Sequence, residues 1–128
     1  MVSAKEAENF LLSGRALDAE IEGLLEEAGR MRDAQNLLPK ERHYLDTLRQ
    51  EILTKVSLLK VKREHIGQVI ALIGDPEKRA VLYMRCLTGK TWLQISLVLN
   101  MSMSAAHMAY KKGVQLAADA MDNEQYLT

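Results

Sequence analysis

The stretch from Gly89 to Val114, GKTWLQISLVLNMSMSAAHMAYKKGV, decides how the rest of the chain is read. Thr91 is suited to cap a helix and Gln94, three positions on, completes a capping box, so a short helix is expected from residue 92. Ile95, Val98 and Leu99 form its expected buried face, and Ser96 is small where a crossing helix must come close. Asn100 tolerates the left-handed backbone that a tight turn demands, and Met101 is then expected to point back toward the core. Ser102 caps a second helix, in which Ala106, Ala109, Tyr110 and Gly113 recur at helical spacing and face inward. The opposite face carries Ser104, His107, Met108, Lys111 and Gln115. Helices patterned and joined in this way form a helix-turn-helix, and the outer face of the second is the surface such a motif lays in the major groove of DNA.

On these residues the chain resembles the helix-turn-helix of region four of bacterial sigma factors, with which Gly89 to Val114 aligns without a gap. Preceded by DPEKRAVLYMRCLTGKTW and by a long charged helical pair, it is similar to small phage and prophage proteins that act as sigma-like regulators of late transcription. The resemblance implies a three-helix reading domain, double-stranded DNA as partner and a further contact with RNA polymerase. Sigma-type recognition helices present arginines early, where this chain has Met103 and Ala105. They also carry branched apolar residues where it has Ala106 and Ala109.

Composition agrees with an all-α fold. Aromatic residues are few, Pro occurs only at Pro39 and Pro76, and Ala, Leu, Glu, Lys and Met abound, a mixture that favours helix. A chain of 128 residues suffices for one compact domain or for a small domain with an extended appendage. Its single cysteine, Cys86, excludes an intramolecular disulfide and, with no secretory signal, points to a reducing cytoplasm. No apolar run approaches the roughly 20 residues a membrane helix needs.

The first half reads as a long antiparallel, coiled-coil-like helical hairpin over residues 1–73. Phe10, Gly14, Leu17, Ile21, Leu24, Ala28 and Met31 make a heptad-like stripe on one helix expected from near residue 4 to near Gln35. Pro39 in NLLPKE forces a reversal. Leu45, Leu48, Ile52, Val56, Leu59, Ile66, Ile70 and Ile73 then line a second helix, with Leu53, Leu58, Val61 and Val69 widening its apolar face. That face is too wide for one partner helix, so a homodimer through residues 1–73 is expected. Gly74 is read as closing the hairpin, Asp75 as capping the next helix and Pro76 as its first turn, which opens a helix-turn-helix domain over residues 74–128. In its supporting helix Ala80, Val81, Met84 and Leu87 are expected to face inward.

Charge is uneven beneath a net of zero: residues 1–34 carry −4, residues 35–73 carry +3, and residues 75–118 carry +4. A positive balance of that size is modest for a DNA binder and makes affinity salt-sensitive, so a dimer or a polymerase partner would have to add to it. Lys111 and Lys112 lie beyond the base-reading turn, where cations meet phosphate. Ser102, Ser104 and His107 fall at the groove, and Lys90 and Arg79 are further backbone contacts. Trp92 occupies a core position rather than a base-stacking one. In the hairpin, Lys55, Lys60, Lys62 and Arg63 are expected to pair with the acidic first helix, Glu20 beside Lys55 and Glu26 near Arg49.

Nothing in the chain assembles a catalytic group. His43, His65 and His107 are far apart, none stands at ligand spacing with Cys86 or an acid, and no cofactor or metal is expected. Cys86 is expected to be inert core, with no histidine near it in the sequence to activate the thiol. Gly89, Lys90 and Thr91 match the end of a P-loop, but Met84 stands where its first glycine is needed. The reading is a cytoplasmic, non-enzymatic DNA-binding transcription regulator. The alternative is a protein-interaction or assembly module in which the hairpin is the working part.

Overall fold

A computed structural model gives the chain as all-helical, with no strand among the described residues. Backbone is described for residues 1–127 and side chains for residues 1–123, so the Glu124 side chain and Thr128 lie outside the description. The elements are α1 (Ala4–Leu12), α2 (Leu17–Asp33), α3 (Pro39–Ala71), α4 (Pro76–Leu82) running into a π-helical turn (Tyr83–Leu87), α5 (Trp92–Leu99) and α6 (Met103–Leu127). Packing groups Leu17–Lys62 as one compact unit and Met1–Ala16 with the chain from Arg63 onward as the other. The division therefore falls within α3, not at Gly74 where the breakers in the sequence placed it. Gly74 does not adopt a left-handed backbone, and α3 ends at Ala71.

The single helix expected up to Gln35 is broken at residues 13–16. There the α-helical ladder gives way to tighter bonds, Gly14 N–H to the Leu11 carbonyl and Arg15 N–H to that of Leu12, both at 3.1 Å. A Cβ on Gly14 would stand 3.0 Å from the Cys86 carbonyl oxygen and 3.0 Å from a Leu87 methyl. Gly14 is therefore set by a close approach of two backbones, which a heptad pattern does not register.

In the unit Leu17–Lys62, α2 and α3 run antiparallel. Arg42 closes the turn by donating to the Met31 carbonyl at 2.5 Å and to that of Ala34 at 3.1 Å, satisfying carbonyls that the end of α2 leaves without partners. At the far end Lys55 sits 3.7 Å from Glu20. Arg49 pairs with Asp46 on its own helix at 3.9 Å instead of reaching for Glu26. Val56 is buried, whereas Leu58 and Val61 are 67% and 64% exposed.

The other unit holds the larger core. Leu11, Ile66, Val69, Val81, Leu82, Cys86 and Ile95 are fully buried. Helices α1, α4 and α5 pack against α6, whose inner face of Ala106, Ala109, Gly113, Ala117 and Ala118 is buried. Small residues there let neighbours approach closely: a Cβ on Gly113 would stand 3.1 Å from Leu82 Cγ. Of the inward face expected for α4 and its continuation, Val81 and Leu87 are buried, while Ala80 and Met84 are half-buried and Leu82 and Cys86 take the deeper places. Asp75 caps α4 by accepting from the N–H groups of Glu77 and Lys78, and its carboxylate also meets the Lys78 ammonium. That ammonium first, and the Lys78 N–H second, hold the Asp75 carboxyl below its ordinary range.

Asn100 ends α5 with φ 52° and ψ 52°, in the left-handed region. Asn100→Gly is expected to be close to neutral, whereas Asn100→Val should cost about 1–2 kcal/mol, because a branched Cβ clashes with the backbone there. Urea unfolding midpoints of the two variants check this.

Candidate nucleic-acid interface

The residues from Thr91 to Val114 build one continuous surface from local rules. Thr91 Oγ1 accepts from the Gln94 N–H at 3.1 Å and Gln94 Oε1 accepts from the Thr91 N–H at 2.9 Å, closing the capping box that starts α5. Ser102 Oγ accepts from the Ala105 N–H at 3.0 Å and starts α6. With Ala106, Ala109, Tyr110 and Gly113 buried, the helical period leaves Ser104, His107, Met108, Lys111 and Gln115 on the outer side, and all five are exposed, as is Lys112 beside them.

Three expected positions differ. Val98 is 61% exposed and Leu99 only half-buried, so Ile95 and Ser96 carry the inner face of α5. Leu93 and Leu97 are exposed as well, at 56% and 71%. An eight-residue helix apolar nearly all round gives its period no contrast by which to choose a face. Met101, expected to point into the core, is half-buried.

Trp92 is half-buried and enclosed by three neighbours. The His107 ring lies against it with centroids 3.9 Å apart and planes 30° off parallel. Arg85 Cζ stands 4.6 Å from the indole centroid. Tyr110 meets the ring edge-on at 5.2 Å. The imidazole, the guanidinium and the phenol thus all lie against the indole, which agrees with a packing role. Arg85 is anchored by donating to the Lys90 carbonyl at 3.1 Å, and Tyr110 by donating to Glu8 Oε2 at 2.9 Å. Burial first, and that bond to Glu8 second, push the Tyr110 phenol above its ordinary value.

The remaining basic residues are spread. Lys90 is half-buried at the start of α5. Arg79 is turned toward the end of α3, where it donates to the Ile73 carbonyl at 2.8 Å. Arg85 went unnoticed in the sequence, seven residues before Trp92 and across a π-helical turn whose register no simple period marks.

Cys86 is buried. Burial pushes its thiol up to about 12, against an opposing pull from Arg85 and Arg15. In native buffer at pH 8 it should resist Ellman's reagent and react fully once the chain is unfolded. The folded thiol keeps its proton to higher pH than the unfolded one. Its contribution to stability is therefore intact below about pH 8.5 and declines as pH rises toward the folded value. Rapid native labelling, or a urea midpoint that climbs between pH 8 and 10, would contradict this.

No group of three or more His, Cys, Asp or Glu side chains among the described residues is placed to hold a metal ion. No helix among them is long and apolar enough to cross a membrane. Compared with family models, with curated proteins and with solved structures, the chain matches none.

Proposed function

We propose that this chain is a DNA-binding transcription regulator, sigma-like and of phage descent, that acts in the cytoplasm by binding and not by catalysis. The observation that carries the proposal is the outer face of α6. Beside its capped N-terminus stand Ser102, Ser104 and His107, with Lys111 and Lys112 one turn further on, all exposed and backed by a packed inner face. A helix presented this way offers polar groups to base edges and cations to phosphates in one pass. The resemblance to region four of sigma factors supports it and brings RNA polymerase in as a second contact. Titrating full-length protein against duplex DNA at several salt concentrations tests the reading.

A homodimer is part of the same proposal. Leu58 and Val61 lie three residues apart on α3 and are both largely exposed, an apolar pair on a helix otherwise rich in charge. Pairing with a second copy would cover them and double the phosphate contacts. Changing both to Glu is expected to turn a dimer into a monomer in light scattering of the full chain, since the seam would then hold unpaired charge. A wild-type chain that is monomeric at micromolar concentration would contradict the dimer.

The second reading is a protein-assembly module. It is favoured by the exposed apolar residues Leu93, Leu97 and Val98 on α5 and Met103 and Met108 on α6, to which DNA offers little. Leu97→Glu separates the two readings: DNA affinity changes little if α6 reads DNA, while a partner held on α5 is lost.

A further inference from the structure

His107 differs from the other outward residues of α6 in being held. Its imidazole is exposed, yet it rests against Trp92 with ring centroids 3.9 Å apart, and Trp92 is itself held by Arg85 at 4.6 Å and by Tyr110 edge-on. Those two are tied in turn to the Lys90 carbonyl and to Glu8. A chain of contacts thus runs from α1 to the outer surface of α6 and ends in a ring with donor and acceptor nitrogens on its rim. An imidazole oriented before binding avoids the ordering cost that a free side chain meets on contact. Ser104 and Lys111, on the same face, make no comparable ring contact.

We propose that Trp92 is the positioning residue for His107, and that this stack gives the outer face of α6 its preference among DNA sequences. The inference rests on the DNA-binding reading and adds to it the residue pair that sets specificity. Trp92 does not touch DNA; it acts through the imidazole.

The test uses the full chain and a library of random-sequence duplexes, with bound sequences counted for the wild type, Trp92→Leu, Trp92→Phe and His107→Ala. Trp92→Leu and His107→Ala are each expected to lower the enrichment of the wild type's best sequences by about tenfold, the discrimination lost with one good base contact. Their salt slope should be unchanged, and the double variant no worse than either single one. Trp92→Phe, which keeps an aromatic face, should retain most of the preference. If DNA still binds and Trp92→Leu leaves the preference intact, or if the losses multiply in the double variant, the inference falls while the DNA reading stands. If the wild type does not bind DNA, both fall.

Trp92 is the only tryptophan in the chain, so its emission reports the stack without DNA. His107→Ala should make it more accessible to acrylamide, and this variant changes an exposed side chain and leaves the core alone. Unchanged quenching would overturn the stack itself. Should Trp92→Leu unfold, Trp92→Phe, His107→Ala and the quenching measurement still decide.

Discussion

Leu82→Ala is expected to destabilise the chain by about 2–5 kcal/mol, the range for emptying a buried leucine site. Leu82 is fully buried and reaches the point on α6 where Gly113 has no side chain. The gap it leaves would be lined by α4 and α6 backbones that already lie close, so little collapse can offset the lost contacts. Against a total stability on the order of 5–15 kcal/mol, such a loss would be a large share. The converse change sharpens the test. Gly113→Ala gains about 1 kcal/mol of helix propensity, but its methyl group would stand 3.1 Å from Leu82 Cγ, where overpacking costs typically about 1–3 kcal/mol. A modest net loss is therefore expected, relieved when Leu82→Ala is combined with it. Urea unfolding of the two single variants and the double variant measures both the size and the coupling.

Changing Lys111 and Lys112 together to Ala is expected to weaken DNA binding to all sequences alike and to reduce the salt slope by about two units, since each lost phosphate contact removes about one. Both lysines are exposed on α6, and neither supports the core, so stability should be unaffected. A slope that stays the same with affinity intact would show that this helix does not lie against the phosphate backbone, and would move the account to assembly through α5.

What the sequence made legible was local chemistry. Thr91 with Gln94, Asn100 and Ser102 act through groups within three or four residues of themselves, and each behaves in the structure as its chemistry dictates. The inner face of α6 was readable because Ala106, Ala109, Tyr110 and Gly113 contrast with the polar residues between them. Legibility failed where distant partners decide. The stripe through Phe10, Gly14 and Leu17 runs unbroken on paper, yet the helix breaks over residues 13–16, where the Cys86 carbonyl lies against Gly14. Val98 was misplaced since α5 is too uniformly apolar for its period to choose a side. The stack of Arg85, Trp92 and His107 joins three segments, and nothing in their spacing announces it. The same limit applies to the division of the chain. Pro39 and Gly74 mark turns, but α3 continues across the boundary that packing draws at residue 63.

The central claim is that α6 reads duplex DNA, and the salt dependence of binding by the unaltered full-length chain tests it most directly. With Lys90, Lys111 and Lys112 on phosphates, log K should fall linearly with log salt, with a slope of about −3 for each chain engaged. Absence of binding at micromolar protein in 50 mM salt, or binding indifferent to salt, would contradict it.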